Sequence, residues 1–378
     1  MASAADQWQE MGSSRRYPGT ANRAAFLLGG IGTGNVSLGS RGDLRDWEIF
    51  NRPGKGVKLP NTYFTIWAKS DGEPPVAKIL ESRLTPPYDA SHGLHPSDAG
   101  GLPRLARSFM RGEYPFVWID FEDDDLPVSV QLEAFTPFIP LNPEDSGIPG
   151  AIFTYRVTNS SSRAVEVTIA GSLFNPIGGV GRDRFGNVSG PRLGGSLNLY
   201  RAEQGITGLE LTTRKYAPTQ LEYGNMALIT TNRDVSYKRA WYRGAWFDEL
   251  QEFWTDLVDD GRLTDLGYET PSEDGRSDTC SLAVHERIGP GETRLFRFVL
   301  SWYFPNRLNG WSEEHRVGEP GKELTQNYYV NLFSDAWSAA RYLVSNFERL
   351  YQASMAFHDA LYSTVKVSSS GVKSVVHI

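Results

Sequence analysis

The chain has a single cysteine, Cys280, among 378 residues, so an internal disulfide and a thiolate metal cage are both excluded. Cys280 itself reads as a small buried residue in the strand that begins Thr279-Cys-Ser-Leu. Histidine is scarce, six in all, and none pair tightly at ligand spacing; His92 and His95 flank Gly93 and Pro96 in a loop, so no structural zinc site is expected. No stretch approaches the ~18 apolar residues of a membrane span. Cations are in the minority: 38 Lys and Arg against 45 Asp and Glu give a net charge of −7, the wrong balance for a nucleic-acid partner. Met1 to Gln9 lacks the charged and then apolar pattern of a leader, and Arg15-Arg16 gives only a faint twin-arginine pattern, whose glycines run on into the motif below. The expectation is a soluble, cytoplasmic chain without metal or cofactor.

What the chain has in excess is glycine in one stretch. Between Leu28 and Gly56 it stands at 29, 30, 32, 34, 39, 42, 54 and 56. Such positions serve a backbone that must take φ > 0 or pass close to another segment. A dinucleotide fingerprint needs G-x-G-x-x-G opening a helix, but Gly30-Ile-Gly32-Thr-Gly34 breaks the spacing and no helical period follows. A phosphate loop needs Gly-Lys-Ser/Thr, and Gly54-Lys55 is followed by Gly56. Turns joining sheet strands remain. Between the glycine clusters, Arg41 to Arg52 mixes cations, carboxylates and Trp47, which suits a looped edge that packs against something.

Gly29-Gly-Ile-Gly-Thr-Gly34 followed by Gly42-Asp-Leu-Arg-Asp-Trp-Glu-Ile-Phe-Asn-Arg-Pro-Gly-Lys-Gly56 resembles the N-terminal domain of glycoside hydrolase family 116, the bile-acid-type β-glucosidases and glucosylceramidases. Gly171-Ser-Leu-Phe-Asn-Pro-Ile-Gly-Gly179 and Ser301-Trp-Tyr-Phe-Pro-Asn-Arg307 agree with it, and the resemblance runs to about Thr364. It implies a linker helix leading into an (α/α)6 barrel that carries both catalytic carboxyls and the sugar-binding residues. The tail Val365 to Ile378 does not resemble the start of that barrel. The expectation is therefore a chain that ends before its catalytic part, whether fragment, pseudogene product or half of a split enzyme. No catalytic residue is assigned.

The residues themselves give a consistent outline. Residues 1–20 are polar and loose. From 21 to 312 there are many short period-two segments with Gly/Pro turns, among them 62–69, 114–121, 128–134, 152–158, 165–170, 197–201, 206–212, 226–231, 281–288 and 293–300. Val128, Val130, Leu132 and Ala134 alternate with Ser129, Gln131 and Glu133, the pattern of a strand with one face inward. This reads as mainly β, a large antiparallel β-sandwich of two twisted sheets followed by one long C-terminal helix. Glu122-Asp-Asp-Asp125 reads as a solvated turn rather than a calcium loop, whose framing it lacks. Residues 86–105 and 175–196 are aperiodic loops. Asn35, Asn159 and Asn187 match the glycosylation pattern, and without a secretory signal these are expected to be chance matches. Trp246, Leu250, Phe253 and Leu257 form a helical stripe that packs onto the sandwich or serves as a sugar platform, and Asp259-Asp260-Gly261 stops it.

After a linker at 313–326, residues 327–364 contain neither proline nor glycine. Tyr329, Phe333, Ala336, Ala340, Leu343, Phe347, Leu350, Ser354, Phe357 and Leu361 recur at helical spacing, which predicts one continuous helix of about 50 Å. Without a barrel to cover that seam, it folds back, self-associates or frays. The divergent tail is 365–378.

For function, Asp43, Asp46 and Glu48 lie among Arg41, Arg45 and Arg52, which would keep them ionised and paired and so unfit as proton donors. Arg45, Asp46, Trp47, Glu48, Asn51 and Arg52, with Trp302, Asn306 and Arg307, are the candidate face toward the barrel, since both segments combine Trp and Arg. The alternative for Trp47 and Trp302 is the ordinary core. The expectation is a chain inactive alone, which meets a β-glucoside or glucosylceramide-type substrate only in company with a barrel. A free-standing carbohydrate-binding module is the competing reading.

Overall fold

Period-two alternation becomes, in the computed structural model, two large sheets. The structure describes residues 15–88, 93–94, 98–179, 190–203, 205–244, 248–309 and 324–366. The larger sheet has nine strands in the order Tyr17–Pro18, Arg107–Glu113, Phe116–Glu122, Ser129–Phe135, Gly150–Thr158, Thr293–Tyr303, Asn225–Thr230, Ile206–Thr213, Ser196–Glu203. The second has six: Val235–Lys238, Thr279–Ile288, Val165–Phe174, Tyr63–Ser70, Val76–Ser82, Arg104–Leu105. Pairing is antiparallel throughout both, except that Arg104–Leu105 runs parallel to Val76–Ser82. The chain is thus mainly β, as the sequence predicts. Tyr114 and Pro115 are not strand residues, because Glu113 pairs with Phe116 and the two between make the hairpin turn.

The two sheets share one buried apolar cluster. Phe64 of the six-stranded sheet meets Phe153, Tyr155 and Phe298 of the nine-stranded sheet with ring centroids 5.7, 5.1 and 5.2 Å apart. Val130, Leu132 and Ala134 point into this cluster. Cys280 also lies in it, fully buried, with its Sγ directed to the Leu173 carbonyl.

Each sheet is covered on its other face by helix. Helix α1 is the single turn Pro143–Ser146, and α2 spans Asp248–Asp260. Phe253 and Leu257 of α2 pack on the six-stranded sheet with Tyr63, Ile79, Ala170 and Ala283, and Phe253 stacks on Trp241 at 4.1 Å. This is the packing reading of the aromatic stripe; its Trp246 lies outside the described residues. The fully buried ammonium of Lys238 holds α2 through Glu252 at 2.7 Å and Asp256 at 3.2 Å.

The single helix predicted over 327–364 is corrected by the structure. A 3-10 turn, Tyr328–Asn331, is followed by α3, Ala336–Ser345, and α4, Phe347–Lys366. Asp335 starts α3 with a capping box: its side chain accepts from the Ser338 amide at 2.7 Å, and Ser338 Oγ answers to the Asp335 amide. Asn346 separates α3 from α4, its side-chain amide donating to the Tyr342 carbonyl at 3.0 Å. A short polar side chain that bonds the local backbone competes with the helix, and here it turns the chain. Both helices fold back on the nine-stranded sheet. Trp337, Ala340, Leu343, Leu350, Tyr351 and Met355 pack against Phe116, Trp118, Phe135, Ile152 and Val299 in a second core. The apolar seam is therefore covered within the chain, and α4 shows Glu348, Arg349, Gln352 and Asp359 outward. The face of Ser129–Phe135 that carries Glu133, expected outside, lies partly beneath α4.

The predicted linker falls mostly, and the tail from 367 wholly, outside the described residues. The acidic turn at 122–125 is tied from within: Lys78 Nζ lies 2.6 Å from Asp123 and 2.9 Å from Asp125.

Candidate functional site

The glycine-rich stretch builds a small sheet, Ala25–Leu28, Val36–Gly39 and Leu44–Arg45, joined by tight turns. Two glycines are required by contact. A Cβ on Gly30 would stand 2.4 Å from the Ile148 carbonyl oxygen, and one on Gly34, at φ +81°, would stand 2.4 Å from the Glu48 carbonyl oxygen. Both are backbone-on-backbone approaches, the first to a segment distant in sequence and the second within the stretch itself. The stretch is a docking edge of the fold.

The nine residues proposed as a face toward a second domain divide into core, struts and surface. Trp47 and Trp302 are core residues, 1% and 0% exposed, with the Trp302 indole donating to the Thr33 carbonyl at 2.8 Å. Arg45 donates to the carbonyls of Asn22 and Ala24. Asp46 accepts from the Gly56 amide at 2.7 Å and Glu48 from the Gly54 amide at 3.1 Å. Lys55, 3.1 Å from Glu48 and 3.8 Å from Asp46, is their cation, where the sequence suggested Arg45 and Arg52. Although desolvation opposes it, the Gly54 amide with Lys55 and Asn35 holds the Glu48 carboxyl below the usual range.

The structure does bring the two segments together. Asn51, at φ +57°, donates to the carbonyls of Phe304 and Asn306, both at 2.9 Å, and accepts from Asn327 Nδ2 at 2.7 Å. Phe50 meets Phe304 edge-on at 5.0 Å. Asn306, buried, donates to the carbonyls of Pro218 and Gln220, both at 2.8 Å. Asn327 in turn reaches the Tyr329 hydroxyl at 3.1 Å. One corner thus joins the glycine-rich edge, the end of the Thr293–Tyr303 strand and the lead into α3. Arg52 and Arg307 are exposed beside it.

Carboxylates gather at two further places. Beside the small sheet, Arg41 lies 3.4 Å from Asp43 and 2.9 Å from Glu81, Arg104 lies 3.2 Å from Glu81, and Lys58 lies 3.1 Å from Asp98. Burial pushes the Asp43 carboxyl up, but Arg41, Arg45 and Lys58 outweigh it and keep it below the usual range. The space among these groups is about 20 Å³, too small for a substrate. On the outer face of the six-stranded sheet, at the end of α2, an open cleft of about 680 Å³ is floored by Trp67, Thr168 and His285. Burial, helped by Arg262, pushes the His285 imidazole down to about 4, and Thr168 Oγ1 and Ser236 Oγ stand 2.8 Å from its two ring nitrogens. Every cleft carboxylate is engaged: Asp234 by the Arg262 guanidinium, Asp260 by the Arg262 amide at 2.8 Å, Glu166 by Arg287 at 3.2 Å and Glu286 by Asn232 at 3.2 Å. Arg262 holds the Asp234 carboxyl below the usual range. A glycosidase needs an acid that keeps its proton facing a carboxylate that does not. The cleft offers paired donors and acceptors suited to binding.

The acids whose environment does favour the proton lie elsewhere. Glu133, under α4, is pushed up to about 7 by burial, against hydrogen bonds from Trp118 and Tyr351 and the charges of Arg297 and Arg111. Burial also raises Glu249 and Asp278. Sequence reasoning passed over Glu133 because alternation marked its face as outward. Its neighbour Phe135, an aromatic in the same outward row, was the available signal.

Two large antiparallel sheets with a shared core, and helices laid on their outer faces, define the class: a mainly β protein in which the acids of cleft and edge are committed to structure. The family model described as beta-glucosidase 2, glycosyl-hydrolase family 116 N-term matches residues 25–350. The chain belongs to that family, as a member of its N-terminal domain. Among solved structures, it is similar to a bacterial glucoamylase complexed with acarbose, with 10% identity and a TM-score of 0.46 over 93% of this chain and 39% of that one. It is also similar to a putative kojibiose phosphorylase from human microbiome, with 6% identity and a TM-score of 0.34 over 92% of this chain and 31% of that one. The chain therefore spans well under half the length of either.

Proposed function

We propose that these residues form the non-catalytic β-sandwich portion of a β-glucosidase- or glucosylceramidase-type hydrolase, cytoplasmic, and act by supporting an (α/α)6 catalytic barrel. The observation that carries this reading is the family match over 25–350, whose description is that of an N-terminal domain. The commitment of the cleft carboxylates to Arg262, Arg287 and Asn232 supports it. The corner at Asn51, Asn306 and Asn327 supports the placing of the barrel-facing surface, with Arg52 and Arg307 as its exposed cations. The two tryptophans act behind that surface by fixing its backbone.

Assay of the purified chain with an aryl β-glucoside tests the proposal. Turnover in the ordinary enzymatic range of about 1 to 10³ s⁻¹ would overturn it. A barrel from the same family, supplied as a separate polypeptide, should bind the chain, and Arg52→Ala with Arg307→Ala should weaken that complex. The open cleft beside Trp67 favours a second reading, a carbohydrate-binding module. Calorimetric titration with glucosides at millimolar concentration decides it: no heat removes that reading.

A further inference from the structure

Helix α4 lies over two carboxylates of the nine-stranded sheet. Glu133 and Glu113 belong to strands on either side of Phe116–Glu122, and they are 5% and 4% exposed. Each meets one ring of α4. The Tyr351 hydroxyl donates to Glu133 Oε2 at 3.3 Å, and His358 Nε2 lies 2.8 Å from Glu113 Oε2. Positions 351 and 358 stand two turns apart on the same side of the helix. Phe116 fills the space between them, edge-on to Tyr351 at 5.4 Å and to His358 at 5.9 Å. The attachment continues in the Phe138 amide donating to Ser354 Oγ at 3.0 Å and the Tyr114 amide donating to the Tyr362 hydroxyl at 3.0 Å.

We infer that this seam is a proton-operated latch: Glu133 and His358, when protonated, hold α4 on the sheet, and losing those protons loosens the helix while the sheet-on-sheet core stays closed.

The charged surroundings set the direction. Facing Glu133 from its own sheet are the Trp118 indole at 2.8 Å and the guanidiniums of Arg111 and Arg297; from α4 come Tyr351 and, nearby, Glu348. Arg111 lies over Trp118 and Arg297 over Phe347, at 4.6 and 3.8 Å from the ring centroids. Facing His358 are Glu113 from the sheet and, on α4, Asp359 at 2.9 Å from Nδ1 and the Tyr362 ring at 4.8 Å. Burial disfavours the Glu133 anion more than these neighbours favour it. For His358, burial opposes the charge, but the bonds to Glu113 and Asp359 overcome it and raise its affinity for the proton.

Both groups bind a proton more tightly docked than released, so both act in the same sense. The Glu133 contribution is complete below its ordinary value of 4.5 and is lost as pH rises to about 7. The His358 contribution is complete below 6.5 and is lost as pH rises through its raised value. The two ranges overlap, and docking weakens as pH rises from about 4.5 to beyond 6.5.

Amide hydrogen exchange on the full chain, corrected for the intrinsic effect of pH, tests the latch. Protection of α4 amides should fall by about tenfold or more between pH 5 and pH 8.5. The double variant Glu133→Gln with His358→Gln, which retains hydrogen-bonding side chains that cannot titrate in this range, should flatten that profile. Protection that stays constant or rises with pH in the unsubstituted chain overturns the inference, and so does an equal fall in the double variant. Should the double variant fail to fold, NMR titration of the His358 ring in the unsubstituted chain decides: a midpoint above 6.5 supports the latch and one at or below it overturns it.

Discussion

The two faces of the nine-stranded sheet are built from the same strands but on different terms. The face toward the six-stranded sheet is closed by apolar and aromatic side chains such as Leu132, Phe153, Tyr155 and Phe298, all at most 1% exposed. The face beneath α3 and α4 also has a continuous apolar cluster, but Glu113, Glu133, His358 and Ser354 are buried along its margin. Apolar burial is indifferent to pH and tolerates no loss of volume. A seam that includes ionisable groups depends on their partners and on the solvent proton. One interface is made to persist, the other to respond.

The sharpest way to break that contrast is a cavity on each side. Phe153→Ala should cost about 3–5 kcal/mol, with the same loss at pH 5.5 and 8.5 by urea unfolding; a loss that varies with pH would blur the distinction. Leu350→Ala, on the α4 side, should cost about 2–4 kcal/mol, and amide exchange should quicken first in α3 and α4. Uniform quickening of both sheets would show that the helices and the sheets unfold as one unit. Removing the Asp335 cap by Asp335→Ala should cost about 1 kcal/mol, because the Ser338 amide loses its acceptor. The smallest effect belongs to the surface. Arg163 and Glu73 pair at 2.9 Å with more than half of each side chain exposed, so Arg163→Ala should change stability by no more than about 0.5 kcal/mol.

Much of the β framework was legible because alternation is a local signal. The strand expected at 206–212 is Ile206–Thr213, and that at 281–288 is Thr279–Ile288. The aromatic stripe of α2 was legible for the same reason, since its period reports one buried face. The C-terminal helix was misread as continuous because its apolar rhythm passes through Asn346 without a gap. The rhythm reports which side is buried; the break comes from an amide competing for a carbonyl, which spacing cannot register. Sequence reasoning left folding back, self-association and fraying open for that segment, and the sheet supplies the missing surface. Of the candidate face, Arg45–Arg52 and Trp302–Arg307 were singled out for their Trp and Arg content, but the contacts between the two segments are made by Phe50, Asn51, Phe304 and Asn306. The joining by Asn51 and Asn327 was not legible: an asparagine at φ +57° is one of many until its carbonyl partners are in place. Glu133 was hidden because a period of two says which residues share a face, and nothing about what later covers it.

The asparagine tie has a consequence for how the protein is made. Asn51 and Asn327 are separated by 276 residues. At roughly 5–20 residues per second on the ribosome, the earlier partner waits on the order of tens of seconds for the later one to emerge. Until the carbonyls at 304 and 306 emerge, 253 and 255 residues after Asn51, the glycine-rich edge has nothing there to receive its amide, and the strand that leads to them is the last of the nine-stranded sheet to be synthesised. The nascent front of the chain is thus unfinished by design of its topology, and its completion is a late, long-range event rather than a local one.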